Sequence, residues 1–437
     1  SGKSAGMNSF LFYNLLTFAV LPFALAYHWY RSASRGRKPA FGERFGAVSA
    51  ETRQKLSGHP VIWLHAVSVG EVMAARPLLK ALRQRYSDHR LLLSVTTETG
   101  RNVAEKDSLA DAVIYFPFDI YPAVRRLLNI VSPVIVIIME TEIWPVFIRE
   151  LNDRNIPVFL ANGRISARSF PRYRAFSHFF RPVLHRFSRL AMQSRADMER
   201  IIEIGAPADR TLVLGNLKYD IPWGEVPDNE RNTLRKKFGI SADSVVITIG
   251  STHPGEEALL IEASAGIMAR HHNIQLVLVP RHPERGGEVE ALLSSSGLPS
   301  VRRSLQLKGD APPLSGRILL VDTIGELMSL YALSDIAYVG GSLVPTGGHN
   351  LLEPASRGIP FLFGPHMDNF MEIKELAVEY GAGIQVADVQ EFRSALDELL
   401  TTPDMRKVLG YNGLKLLRSS GGAVARHMEA IERLIGR

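Results

Sequence analysis

Apolar residues in this chain fall into short unbroken runs rather than alternating ones. Val61–Ala66, Leu91–Val95, Val113–Tyr115, Val134–Met139, Val158–Ala161 and Leu190–Met192 read as strands. Strands apolar on both sides predict a parallel sheet covered on both faces. Helical patterns separate them, as in the stretch from Val72 to Tyr86, while Ile201–Tyr219 is ambiguous. Ile221-Pro-Trp-Gly-Glu-Val-Pro-Asp then breaks all periodicity and reads as a linker. A second series follows, with strands at Val245–Ile249, Ile274–Val279, Ile318–Val321, Ile336–Val339 and Pro360–Phe363. Helical patterns at Glu256–Arg270, Glu326–Leu333 and Leu351–Arg357 lie between them. The reading is α/β: two Rossmann-like domains, 31–220 and 231–403, joined by a linker at 221–230 and facing a cleft that is the expected site. The last segment, 404–437, is helical and can pack back on the first domain.

The N-terminal stretch, 7–30, follows a different pattern. Phe10–Tyr27 is apolar-rich, and no charge falls between Lys3 and Arg31. Eighteen helical residues reach about 27 Å, close to one hydrocarbon core. Arg31, Arg35, Arg37 and Lys38 follow directly, so the positive-inside rule puts the rest of the chain on the cytoplasmic side of the inner membrane. A cleaved signal peptide fits poorly, because the positive charge follows the apolar run. Asn14, Thr17 and Pro22 interrupt the run, and a helix lying in the membrane interface is the alternative to a span.

Composition narrows the chemistry. The 437 residues are 46% hydrophobic and 22% charged, with no cysteine, which excludes disulfides, thiol nucleophiles and Cys-ligated metals. A net charge of +7 suits acidic partners such as phosphates, sugar acids and anionic lipids. Nucleic acid is not expected, since the basic residues are dispersed and no recognition motif is present.

Candidate chemistry gathers at strand ends, where open α/β sheets bind ligands. Val61–Leu64 leads into His65-Ala-Val-Ser68-Val-Gly-Glu71, making Glu71 the first candidate for a base. Ser68-x-x-Glu71 also fits a helix capping box. Val134–Met139 runs into Glu140-Thr-Glu142, two carboxylates that can position a base, hold a hydroxyl or pair with an arginine. Arg164 or Arg168, beyond the next strand, can hold an acidic group; Lys218 is either functional or a surface lysine; His65 reads as a strand histidine. Metal is disfavoured, since no Asp-x-Asp or HExxH occurs. In the second domain four strands end in polar, glycine-containing loops: Gly250–Glu256, Pro280–Arg285, Asp322–Glu326 and Gly340–Glu353. Glycines let a ligand approach the backbone, helix N-termini receive phosphate, Arg281 can fork onto a phosphate, and Glu326 or Glu353 can accept from ribose hydroxyls. Together they read as a nucleotide site, neither dinucleotide nor P-loop in type. Asn350-x-x-Glu353 also fits a capping box.

On these residues the chain resembles the bacterial Kdo transferases, which move 3-deoxy-D-manno-octulosonic acid (Kdo) from CMP-Kdo to lipid A precursor. HAVSVGE, METEIWP, NGRIS, GNLKYD, GSTHPGEE, VPRHPER, DTIGEL and GGSLVPTGGHNLLEP carry the resemblance, in this order along nearly the whole chain. The resemblance implies a GT-B fold, a metal-independent inverting reaction, no cofactor, and a place in lipopolysaccharide assembly at the membrane. It implies Glu71 as general base, with Glu140 and Lys218 assisting the transition state. It carries CMP contacts to Pro280 and Arg281, to Ile324, Gly325 and Glu326, and to Asn350, Leu351, Leu352 and Glu353. FGERFG, Phe41–Gly46, belongs to the pattern; its role does not follow from the residues, and Arg44 is a candidate for an acceptor phosphate. The residues alone leave open another GT-B nucleotide-sugar enzyme, or a membrane-tethered nucleotide-binding protein without catalysis.

Overall fold

The computed structural model describes residues 40–271 and 273–436, together with Tyr13, Thr17 and residues 19–23, 25–26 and 29–30. The chain forms two compact units, Ser1–Asp220 with Ser420–Arg437, and Ile221–Ser419. In the first, β1 (Val61–His65), β2 (Arg90–Val95), β3 (Ala112–Tyr115), β4 (Ile135–Met139), β5 (Val158–Gly163), β6 (Arg189–Met192) and β7 (Thr211–Val213) form one sheet. Its order is β3-β2-β1-β4-β5-β6-β7, and every pairing is parallel. Side chains alternate across it: Trp63, Val136 and Ile138 bury into one core, Ile62, Leu64 and Ile137 into the other. Both faces are therefore dry, which is why the strands are apolar runs without alternation.

The second unit repeats the plan with β8 (Val245–Thr252), β9 (Ile274–Pro280), β10 (Ser300–Arg302), β11 (Ile318–Leu320), β12 (Ile336–Val339), β13 (Phe361–Phe363) and β14 (Gly383–Gln385). The order is β10-β11-β9-β8-β12-β13-β14, again parallel. In each sheet the strand order reverses once, between β1 and β4 and between β8 and β12. The crevice outside such a switch point is where open α/β sheets take ligands. Three strands, β7, β10 and β14, lie outside the apolar runs read from the sequence. All three are three-residue strands at sheet edges, where fewer neighbours demand apolar side chains.

The segment read as 404–437 divides between the units. Helix Pro403–Ser420 lies mostly in the second, where a Cβ on Gly410 would stand 2.1 Å from the Gly358 carbonyl oxygen. Helix Ala423–Ile435 belongs to the first and buries Ala423, His427, Ile431 and Leu434 along one stripe, in the same core as Leu78 and Leu82 of helix Val69–Arg85. Most of the predicted anchor, 7–30, lies outside the described residues. Those described between 13 and 30 are helical, and among the described residues no helix is long and apolar enough to cross a membrane.

Candidate active site

At the end of β1 the chain turns through Ala66–Ser68 into helix Val69–Arg85. Ser68 is the N-cap, its Oγ accepting from the Glu71 N–H at 3.4 Å. The Glu71 carboxylate folds back, and Oε2 accepts the Val67 N–H at 2.8 Å. A reciprocal capping box would take the N–H of the cap residue itself; here the carboxylate reaches one residue further. Glu71 is only 8% exposed. Burial raises its pKa to about 7, against the Val67 hydrogen bond, with Glu140 and Glu142 pushing it further up. A glutamate kept only for capping gains by staying ionised at a helix N-terminus. One poised near neutrality is suited to accepting a proton.

β4 lies beside β1, so Glu140 follows the neighbouring strand end. Its φ is +54°, a conformation that costs a non-glycine residue about 1–3 kcal/mol. Lys218 Nζ stands 3.4 Å from Glu140 Oε1, with side-chain exposures of 40% and 25%. An ion pair this open contributes about 1 kcal/mol or less to folding, so stability does not account for the strained backbone. Burial, then Glu140, raises the Glu142 pKa.

Lys218 sits on a built platform. Asn216 Oδ1 accepts its N–H at 3.0 Å, and Asn162 Oδ1 accepts the Leu217 N–H at 2.9 Å. Gln193 bridges the two asparagines, donating to the Asn162 carbonyl at 2.9 Å and accepting from Asn216 Nδ2 at 3.1 Å. The Asn162 N–H donates to His427 Nε2 at 3.2 Å, while His427 Nδ1 lies 2.7 Å from the Ala423 carbonyl. His427 is thus the neutral Nδ1–H tautomer, in keeping with a pKa that burial lowers to about 4. Asp220 accepts from the N–H groups of Gly422 and Val424 at the start of helix Ala423–Ile435. The aspartate of GNLKYD is therefore a cap, and it anchors the turn that carries the lysine.

Arg44 does not stand open to a phosphate. It is buried, donates to the Thr96 carbonyl at 2.8 Å, and lies 4.7 Å from the Tyr115 ring centroid. Glu43 accepts from the Tyr115 N–H and from Arg101, both at 2.8 Å. The loop it braces is itself bonded to Val67, whose carbonyl accepts from the Thr96 and Thr97 N–H groups at 3.2 and 3.1 Å. FGERFG is thus a strap behind the turn that holds Glu71. His65 is buried and stacked on Phe116 at 4.0 Å, with Nδ1 2.9 Å from Ser94 Oγ. Burial lowers its pKa to about 3, so it stays neutral as a strand histidine. Its Nε2 and the nearby Trp144 Nε1 are buried without hydrogen-bond partners among the described residues. Arg164 and Arg168 are exposed.

In the second unit the four polar loops follow β11, β9, β8 and β12, which are adjacent in the sheet, so they share one edge. Pro280 ends β9, and the Arg281 N–H donates to the Thr252 carbonyl at 2.9 Å while its side chain is exposed. Ile324 is 88% exposed, an apolar residue with nothing covering it, beside Gly325 at φ +87°. Glu326 is already engaged: Arg303 donates to it at 3.1–3.3 Å and Thr323 at 2.5 Å. Asn350 Oδ1 accepts the Leu352 N–H at 3.1 Å, and Leu351 and Leu352 are buried. The Glu353 carboxylate does not complete a capping box; it makes no hydrogen bond among the described residues. Burial raises its pKa to about 7, against the pull of Arg281. Of the two acids, Glu326 is held by Arg303 and Thr323, while the Glu353 carboxylate has no such partner among the described residues.

Two residues that carry this edge went unread in the sequence. Buried Glu256 accepts from the N–H groups of His253 (3.0 Å), Gly341 and Leu343 (3.3 Å), tying the β8 loop to the β12 loop. Glu257 takes both arms of Arg285 at 2.8 and 2.9 Å, tying the β9 loop to helix Glu257–Met268. Only the position of these acids at a helix start hinted at such work. Among the described residues no group of three or more His, Asp or Glu could hold a metal ion.

Residues 39–221 match the family described as 3-deoxy-D-manno-octulosonic-acid transferase (kdotransferase). The chain is 34% identical over 430 residues to the 3-deoxy-D-manno-octulosonic acid transferase of Haemophilus influenzae, covering 98% of this chain and 99% of that one. It is 32% identical over 443 residues to the protein of the same name from Bordetella pertussis, covering 97% and 99%. Among solved structures, a UDP-GlcNAc 2-epimerase from Neisseria meningitidis bound to UDP-GlcNAc aligns with 86% of this chain and 100% of its own. The TM-score is 0.55 at 15% identity, a likeness of fold alone. The near full-length match to these relatives, at 34% and 32% identity, places the chain in the 3-deoxy-D-manno-octulosonic acid transferase family.

Proposed function

We propose that this Kdo transferase uses CMP-Kdo as donor and a lipid A precursor as acceptor, with Glu71 as the general base. Glu71 takes the proton of the acceptor hydroxyl as that oxygen attacks the anomeric carbon of Kdo. The bond from that carbon to the phosphate oxygen breaks, the electron pair leaves with CMP, and the centre inverts. A base so placed contributes about 10²–10⁴-fold in rate. Lys218, beside Glu140, is the cation available as negative charge grows, and the reaction so written uses no metal. In the donor loops Arg281 faces the phosphate and Glu353 the ribose, with Pro280, Ile324, Gly325, Asn350, Leu351 and Leu352 shaping the base pocket and Glu326 holding its loop through Arg303. The observation that carries this reading is Glu71: buried, poised near neutral pH, and following a strand at the switch point beside two further carboxylates. Attachment to the cytoplasmic face of the inner membrane is part of the proposal. It is supported by the apolar 10–27 segment, the exposed Phe23, Trp29 and Tyr30, and the basic residues that follow.

Competition between CMP and UDP tests the donor assignment. CMP should bind and compete with the donor at concentrations where UDP does neither. Preference for UDP would remove Kdo transfer from CMP-Kdo as the reaction.

A further inference from the structure

The donor loops carry an imidazole pair that the proposed reaction leaves without a task. His253 Nε2 and His349 Nε2 stand 2.8 Å apart, on the loops after β8 and β12. The rings are nearly parallel, 13° apart with centroids at 5.1 Å. Gly341 makes the approach possible: a Cβ there would lie 3.1 Å from Cδ2 of both rings, and its φ is +67°. His282 stands edge-on to His253, with centroids at 5.9 Å. The charged and titratable groups facing the pair are Arg281, His282, Arg285 and Glu257, and Glu353 faces Arg281 in turn. Arg285 and Glu257 are bonded to each other and His282 Nδ1 lies 3.6 Å from Glu284 Oε1, which leaves Arg281 as the cation there that makes no ion pair among the described residues. Burial first, then His282 and Arg281 for His253, and His253 and Arg281 for His349, hold both imidazoles below the usual range, His349 at about 4.

At this spacing one neutral ring donates its Nε2–H and the other accepts it. The contact holds one hydrogen between two ring nitrogens, beside an Arg281 guanidinium that makes no ion pair among the described residues. We propose that His253 and His349 form a phosphate clamp that takes up one proton from solvent when the donor's phosphoryl group binds beside Arg281. The clamp rests on the CMP-Kdo reading given under Proposed function. The added proton goes to the accepting ring, making it an imidazolium with both nitrogens protonated. Both Nε2 atoms then donate, the contact between them opens, and each faces a phosphoryl oxygen. When the bond to the sugar breaks, the phosphate receives the electron pair with this imidazolium already in place.

Calorimetric titration of the full chain with CMP tests the proposal, run at about pH 8 in two buffers of different ionisation enthalpy, with cytidine as the phosphate-free control. About one proton should be taken up per CMP bound and none with cytidine, and CMP affinity should fall about tenfold per pH unit above that pH. His253→Gln and His349→Gln, which keep a neutral amide donor, should each abolish the uptake and weaken CMP while leaving the response to cytidine unchanged. CMP binding by the parent with no net proton uptake would overturn the clamp and leave the donor reading standing. So would uptake that persists in both variants. A parent that binds no CMP would overturn both. The parent's own proton count does not depend on any variant folding.

Discussion

Glu71, Glu140 and Glu142 show how one carboxylate gains a working pKa from its neighbours. Burial is the largest cause of the Glu71 shift, but the two acids on the adjacent strand end add to it. In the proposed reaction Glu71 acts in its ionised form, so the acid limb of the pH–kcat/KM profile should have its midpoint near 7 and activity should rise with pH through it. Glu140→Gln removes one of the charges that disfavour Glu71 ionisation. The limb should therefore move to lower pH, even as the rate falls through loss of the Lys218 partner. A limb that stays in place would mean that another group titrates. Glu71 and Glu140 stood out as candidates in the sequence because strand ends at a sheet's switch point are where function accumulates, whereas Lys218, which follows the edge strand β7, gained a role only through the family resemblance. The positive φ of Glu140 was not, because it depends on the surrounding backbone and not on the residue type. Nor were the duties of Asp220 and Glu256, which take hydrogen bonds from partners 82 to 204 residues away along the chain, Glu256 alongside one from nearby His253.

At the level of elements, several motif residues prove to be joints. Asp220 caps helix Ala423–Ile435, which packs on the helix that carries Glu71. Asp220→Ala should cost about 1–2 kcal/mol of stability, the usual loss for an acidic cap. It should also slow transfer by loosening the turn at Leu217–Tyr219, with nucleotide affinity in the other unit unchanged. Thermal denaturation and CMP titration of the variant check both parts; an unchanged melting temperature would deny the cap its role. Arg44 and Glu43 make the strap behind the Glu71 turn, a task hidden in FGERFG because the acceptors, Thr96 carbonyl and Tyr115 N–H included, are backbone groups that any residue supplies. Strand positions were legible wherever both faces are buried. β7, β10 and β14 were not, since a short edge strand such as Ser300-Val-Arg302 has no apolar run to betray it.

For the molecule as a whole, two sheets of the same plan divide the labour in the proposed reaction, the base in one unit and the nucleotide loops in the other. Within the N-terminal stretch, Tyr13 packs on the first unit: its hydroxyl donates to buried Asp119 at 2.8 Å, and its ring lies 5.6 Å from that of Phe179. Asp119 in turn accepts from the N–H groups of Val146 and Phe147, at the start of helix Pro145–Asp153. Removing residues 7–30 should release the protein from membranes and also lower its melting temperature, by the loss of a buried hydrogen bond worth about 1 kcal/mol. Transfer to detergent-dispersed acceptor should persist. Retention on membranes would place the attachment elsewhere in the chain. The central claim is met most directly by mass spectrometry of the product formed from CMP-Kdo and a tetraacyl lipid A precursor, with the parent and with Glu71→Gln in parallel. The parent should yield Kdo-bearing lipid, and the variant, still binding CMP, should form it at least about 100-fold more slowly. Product formed by the variant at the parent's rate would contradict the assignment of Glu71 as the base.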